Sequence, residues 1–278
     1  MGPSRYNALG PNVGAGEYPD TPVFVPGVSN VAQLTAGFQF SIALLTDGTL
    51  VTWGSNRFYT LGSAAQVVDG VPQDSANLVS VDLLTDVVQV SAGWQHALAL
   101  KGDGTVWAWG DNVWYPGAFY SCPSGSPTAP PGYCGYGLLG VVDGAGAPIA
   151  NAVQPTQVTG LSNIVQVSGG DGHSCFLNAT GSVFCTGNNG GGQVGNGQWT
   201  SQFTPALVEE LPCSVVWIAA RDHHSQALCD DRQTVYSWGS GLQGELGVPC
   251  TPITNWDSSL PGHCTNSSSP VKMALVLS

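Results

Sequence analysis

The chain has 278 residues, 42% of them apolar, so it is long enough to bury a core and too apolar for wholesale disorder. Charged residues are only 9%, glycines number 38, and 6 cations stand against 18 acids, for a net charge of −12. Six cations cannot build the basic face that nucleic acid or anionic lipid requires, and no run of about 18 apolar residues offers a membrane span.

In chain order the first feature is a short tail. Tyr6-Asn7-Ala8-Leu9-Gly10 and Pro22-Val23-Phe24-Val25 read as the end of a repeat whose head is not in the sequence. Residues 1–30 carry Gly, Pro and Asn throughout and show no apolar signal-peptide stretch. Four heads follow, at 31–54, 87–110, 164–187 and 215–239. The anchors Gly37, Gly93 and Gly170 each precede a second glycine (Gly54, Gly110, Gly187) by 17 residues. In the fourth copy Arg221 takes the anchor place and Gly239 follows after 18.

Each head predicts three short strands. In the second copy they are Val87–Val90, Ala97–Leu100 and Thr105–Trp109, with a turn at Gly93-Trp94-Gln95-His96 between the first two. Asp47-Gly48 and Asp103-Gly104 supply the positive φ that the second hairpin needs. A tail glycine comes next: Gly62, Gly140, Gly195 and Gly247. It lies 8 residues past the head in copies one, three and four, and 30 past it in copy two, which places an insertion of about 22 residues near 113–137. A Pro-led strand closes each unit, at Pro155–Val158, Pro205–Val208 and Pro270–Met273, as suits an outer strand. Four antiparallel strands recurring every ~50 residues are the mark of propeller blades. The chain reads as one domain, 1–278, with a repeat tail at 1–30 and repeats at about 31–86, 87–163, 164–213 and 214–278.

These strands, turns and Leu-Gly tails resemble the regulator of chromosome condensation repeat family, in register four times over nearly the whole chain. The resemblance implies an all-β, seven-bladed propeller of which this chain holds four full repeats and one repeat tail, hence an incomplete ring. It also offers functions: nucleotide exchange on a small GTPase, as in the founding member, or enzyme inhibition, as in a secreted bacterial member. Gly93-Trp94-Gln95-His96 resembles the tryptophan motif of the plant ultraviolet-B photoreceptor, but Gln95 stands where an Arg is expected and the cations for a charged dimer interface are lacking.

Repeated positions read as structure. His96, His173 and His224 share one slot with Phe40, and each histidine is expected to bond backbone within its own blade. Trp53, Trp109 and Trp238 share another with Thr186, as packing between blades. His223 lies off the pattern, next to His224 in a turn, and a metal role for the pair is not favoured. The eight cysteines form four local pairs: Cys122 with Cys134, Cys175 with Cys185, Cys213 with Cys229, and Cys250 with Cys264. Cys175 and Cys185 flank a hairpin turn, within disulfide reach, and similar pairs occur in secreted members of the family. Zinc spacing is absent, and free thiols of a reducing compartment are the alternative. Sequons at Asn178 and Asn266 lie in expected loops. Together these features lean toward an exported protein in the extracellular space or secretory lumen, with the cytoplasm as the alternative.

No nucleophile elbow, metalloprotease helix or phosphate loop is present, so no catalytic, cofactor or metal residue is assigned and no cofactor is expected. The expected function is a non-enzymatic scaffold that binds a protein partner through one propeller face, with no nucleic acid and no membrane insertion. The candidate contacts are the aromatics of the insertion: Trp114, Tyr115, Phe119, Tyr120, Tyr133 and Tyr136.

Overall fold

The computed structural model describes residues 9–11, 20–113, 137–248 and 265–273. Its elements in chain order are β1 (Val31–Ala36), β2 (Phe40–Leu45), β3 (Leu50–Gly54), β4 (Val67–Val68), β5 (Val71–Pro72), β6 (Ser75–Ser80), β7 (Val87–Ala92), β8 (His96–Lys101) and β9 (Val106–Asp111). They continue with β10 (Asn151–Gln157), β11 (Ile164–Gly169), β12 (His173–Asn178), β13 (Val183–Gly187), β14 (Gln202–Leu207), β15 (Val215–Arg221), β16 (His224–Cys229), β17 (Val235–Gly239) and β18 (Ser267–Lys272).

Four four-stranded antiparallel meanders result: β1-β2-β3-β6, β7-β8-β9-β10, β11-β12-β13-β14 and β15-β16-β17-β18. We call them blades one to four. The inner strands β1, β7, β11 and β15 pack side by side around the axis. No helix of the described residues is long and apolar enough to cross a membrane. The outer strands start earlier than the sequence suggests. Pro155 and Pro205 fall inside β10 and β14, at the points where pairing with β9 and β13 shifts register. An edge strand tolerates proline there because the missing N–H has no ladder partner to lose. Of the first tail, Pro22–Val25 is not a strand, although a Cβ on Gly10 would lie 3.1 Å from Val25.

Side chains from each blade hold the next. The Gln89 amide donates to Val167 C=O (3.3 Å) and accepts from Val167 N–H (2.9 Å). Gln33 does the same to Val90, and Gln166 to Ile218. Two residues on, Thr35, Ser91 and Ser168 accept from Ala92, Gly169 and Ala220 N–H. Blade four has Trp217 and Ala219 at these two positions, and Trp217 is 58% exposed.

The repeated histidines are structural, but they reach the next blade rather than their own backbone. His96 Nε2 bonds Ser174 Oγ at 2.9 Å, and His173 Nε2 bonds Ser225 Oγ at 2.8 Å. Each serine in turn donates to a carbonyl of the preceding blade's tail, Leu138 or Gln193. That fixes the hydrogen of the pair on Nε2. In blade one the slot is Phe40, and Ala97 replaces the serine that would face it. Gly93 allows the ring to lie against the backbone, because a Cβ there would overlap the His96 imidazole.

The repeated tryptophans run the other way. Trp109 Nε1–H donates to Thr60 C=O of blade one, and Trp238 Nε1–H to Gln193 C=O of blade three, both at 2.9 Å. Thr186 does the equivalent with Gly137 C=O. The tail glycines make room for the indoles: a Cβ on Gly195 would sit 2.6 Å from Trp238 Nε1. The apolar core lies between blades, around fully buried Ile42, Leu98, Trp109 and Phe176 in one cluster and Val194, Ile218 and Trp238 in a second.

Candidate functional site

Strand direction puts four turns on one face of the arc. In each blade the turn between the first two strands lies beside the end of the third, since Phe40 pairs with Gly54, His96 with Gly110, His173 with Gly187 and His224 with Gly239. The turns are stitched backbone to backbone. Phe38 N–H donates to Trp94 C=O (2.7 Å), Trp94 N–H to Gly170 C=O (3.4 Å) and Asp171 N–H to Asp222 C=O (3.0 Å). Inner-strand ends of Ala36, Ala92, Gly169 and Ala220 leave the axis open, and a cavity of about 540 Å³ forms there. Small side chains at the crowded centre are what let the mouth stay wide.

The mouth is apolar on one side and acidic on the other. Phe38 and Trp94 stack with ring centroids 5.1 Å apart and planes tilted by 60°. Phe38 is 44% exposed. Beside them Asp171 and Asp222 line the cavity, and together with His223, which is not part of the lining, their polar atoms fall within 4.8 Å of one another. Arg221 also lines the cavity. Burial, and then the charge of Asp222, push the Asp171 carboxyl up to about 7. Burial lowers the His223 imidazole, against the pull of Asp222. His223 Nε2 lies 3.5 Å from Asp222 Oδ1.

The acids on the opposite face do other work. Asp47 and Asp103 each accept from the N–H and hydroxyl of the threonine two residues on, which lowers their pKa and closes the hairpin turns.

Two of the four cysteine pairs lie within the described residues. Cys175–Cys185 bridges the directly paired positions of β12 and β13, with Cα atoms 4.1 Å apart. Cys213–Cys229 ties the chain before β15 to the end of β16, Cα to Cα 5.8 Å. Cys122, Cys134, Cys250 and Cys264 lie outside the described residues, as do the candidate contacts Trp114, Tyr115, Phe119, Tyr120, Tyr133 and Tyr136. The flanks of that insertion are fixed, however: Gly137 N–H donates to Asn112 C=O, and Asp111 N–H to Gln95 C=O in the turn carrying Trp94. The two described flanks of the insertion, Val113 and Gly137, therefore lie on the same face as the mouth.

Both sequon asparagines have structural roles. Asn178 Oδ1 accepts from Thr180 N–H, Thr180 Oγ and Ser182 N–H, which closes the β12–β13 turn. Asn266 Oδ1 accepts from Gly241 N–H at 3.2 Å. In the other blades the same loop is held from within, by Asn56, Asn112 and Asn189, each accepting from its tail N–H. Gly241 stands where those asparagines do, and its N–H donates to Asn266 as Asn56 N–H donates to Asp74 Oδ1 in blade one.

Sequence reasoning missed the acidic half of the mouth. Phe38, Trp94, Asp171 and Asp222 occupy one slot, directly after the anchor, and that shared slot was the available signal.

Comparison with known proteins fits this architecture. Models of the regulator of chromosome condensation (RCC1) repeat match residues 31–59, 87–113 and 164–193 in one form, and 132–177 and 180–228 in another. The chain is 28% identical over 243 residues to the mouse probable E3 ubiquitin-protein ligase HERC4, covering 84% of this chain and 20% of that one. It is 28% identical over 254 residues to the bovine secretion-regulating guanine nucleotide exchange factor, covering 86% of this chain and 48% of the other. Yeast RCC1 (Prp20), solved with Kap60 bound, superimposes with a TM-score of 0.69 at 22% identity, over 98% of this chain and 55% of that one. The chain thus spans half or less of these curated relatives, and its likeness to Prp20 is one of fold. With repeat matches over more than half its length and four blades built as those repeats predict, the chain belongs to the regulator of chromosome condensation repeat family.

Proposed function

We propose that this chain is a non-enzymatic scaffold that binds a protein partner through the face carrying the Phe38–Trp94 pair. One observation carries the reading: an open mouth of about 540 Å³ holds the exposed Phe38 against the half-buried Trp94 on turns bonded backbone to backbone, and Val113 and Gly137, which flank the aromatic-rich insertion, lie on the same face. Aromatic anchors on a fixed frame bind at low entropic cost. The test is a photo-crosslinking residue placed at Phe38 or, as control, at Thr105 on the opposite face, in the native setting. Capture of a discrete partner from position 38 alone supports the reading. Equal capture from both positions overturns it.

The relatives favour a second reading, nucleotide exchange on a small GTPase, because the bovine exchange factor aligns over 86% of this chain. We further propose that the chain is exported, the support being its two close cysteine pairs and the Asn178 sequon on a hairpin turn. Intact mass before and after reduction separates these readings. Disulfides in the native protein speak for export and against a cytosolic GTPase; free thiols reverse both, and release of labelled GDP from small GTPases is then the assay to run.

A further inference from the structure

We infer that the mouth receives a basic side chain, lysine or arginine, from an extended segment of the partner, seated between the Asp171–Asp222 pair and the Phe38–Trp94 pair. This rests on the reading of the face as a protein-binding surface and names the chemistry of what it binds.

Charge points to a cation. Asp171 and Asp222 sit in two neighbouring turns, and the backbone bond from Asp171 N–H to Asp222 C=O prevents them from swinging apart. Two carboxylates held together repel, and in the mouth only Arg221 offsets them. Burial and the charge of Asp222 push the Asp171 carboxyl up to about 7, so near neutral pH it gives up its remaining proton as a cation enters. With His223 neutral, the ionised pair and Arg221 then carry one negative charge in excess. One monovalent side chain cancels it.

Shape and chemistry point to a side chain rather than a bare ion. The cavity is far larger than an ion needs, and it is open to solvent. The aromatic pair lies next to the acids, because Trp94 N–H donates to Gly170 C=O, one residue before Asp171. A long alkyl stem ending in a charge suits both halves: the stem lies on Phe38 and Trp94, and the head reaches the carboxylates. Arginine adds the fork that meets a carboxylate with two parallel hydrogen bonds. In chain order the slot runs aromatic, aromatic, acid, acid over four neighbouring blades, so the two halves are presented side by side rather than scattered.

The test uses the whole chain and synthetic peptides selected on it from a displayed random heptapeptide library. Selected peptides should carry Lys or Arg next to an apolar residue. Replacing that residue with citrulline or norleucine should weaken binding at least tenfold by fluorescence anisotropy. Asp171→Asn with Asp222→Asn should give a similar loss with a melting temperature no lower than the parent's, and Trp94→Ala a clear one. Should the double variant fold poorly, Asp222→Asn alone suffices, since its side chain is 65% exposed. Peptides that lose affinity in Trp94→Ala yet ignore the basic residue and the two aspartates would sink this inference and leave the binding face standing. Peptides indifferent to Trp94 as well would sink both. Displacement of a bound peptide by micromolar Mn²⁺ or Zn²⁺, lost in His223→Ala, would also overturn it, by showing that the cluster is a metal site.

Discussion

Gln89 and Val167 belong to different blades, 78 residues apart, and the Gln89 amide satisfies both backbone groups of Val167. The same pairing of Gln166 with Ile218 is buried, at 2.8 and 2.9 Å. These clamps do what a strand ladder does within a blade, but between sheets that share no ladder.

Gln166→Ala should therefore destabilise the chain by about 2–4 kcal/mol, since it orphans a buried N–H and a buried C=O at once. Gln166→Glu should be no better, because a carboxylate can accept from Ile218 N–H but repels its carbonyl. Urea denaturation reads both. A loss under 1 kcal/mol would mean that water takes over the two groups.

The His96–Ser174 pair predicts a non-additive result. Each single change, His96→Phe or Ser174→Ala, breaks a buried bond of 2.9 Å. The double change reproduces the Phe40–Ala97 pair between blades one and two. The double variant should thus lose less than the sum of the singles, by about 1–2 kcal/mol. Strict additivity would show that the two side chains act independently.

That double variant also carries a pH signature. Burial pushes His96 down to about 4 and His173 to about 3, from 6.5. The unfolded chain takes up protons that the folded one refuses, so neutral histidines lose stability as pH falls from 6.5 toward 4. Asp111 and Asp171, pushed up to about 7 by burial, act in the opposite direction: they lose stability as pH rises from about 4 to 7. The parent's slope is thus a partial cancellation. The double variant removes one histidine and should gain on the parent by up to about 1.4 kcal/mol per pH unit below pH 6.5. Denaturation at pH 7.5, 6 and 5 checks it, and a gap that does not change with pH refutes it.

Gly195→Ala should cost more than an ordinary glycine substitution. The backbone there has φ of +75°, and the new Cβ would meet Trp238 Nε1 at 2.6 Å. We expect a loss of about 2–4 kcal/mol. Trp238→Phe removes the colliding indole nitrogen, so the double variant should be less destabilised than the two single losses added. Thermal melts of the four proteins decide it.

Cys175–Cys185 and Cys213–Cys229 should each appear as one linked peptide pair in a non-reducing digest. In the chain-entropy account each contributes about 3 kcal/mol, for loops set by separations of 10 and 16 residues. Replacing Cys213 and Cys229 with serine should lower stability by about that amount only under oxidising conditions. An equal loss in reductant would assign the effect to packing.

The blade plan was legible because it repeats. Anchors such as Gly93, Gly110 and Trp109 recur in register, and each marks a tight turn or a buried ring. The Gln clamps repeat as well, at Gln33, Gln89 and Gln166, yet polar residues in a strand carry no local sign of what they bind. The histidines were placed but given the wrong partner, since Ser174 is reached only through blade stacking. The clue was the joint change to Phe40 and Ala97. The mouth was harder still. Asp171 and Asp222 are 51 residues apart in the sequence, and only the stitching of adjacent turns brings their carboxylates together.

The interblade bonds all have a direction. Gln and Ser or Thr side chains reach forward from one blade, and the indole or hydroxyl of the next blade reaches back to its tail. Every junction therefore joins two unlike halves, and no blade uses the same surface for both of its neighbours. Gain or loss of one whole repeat still sets a forward-reaching half against a receiving one, provided that Phe40 keeps Ala97 as its neighbour, whereas gain or loss of half a repeat spoils two junctions. Such a chain is free to change its blade number across generations in whole steps, with selection tolerating breakpoints only where one tail ends and the next inner strand begins.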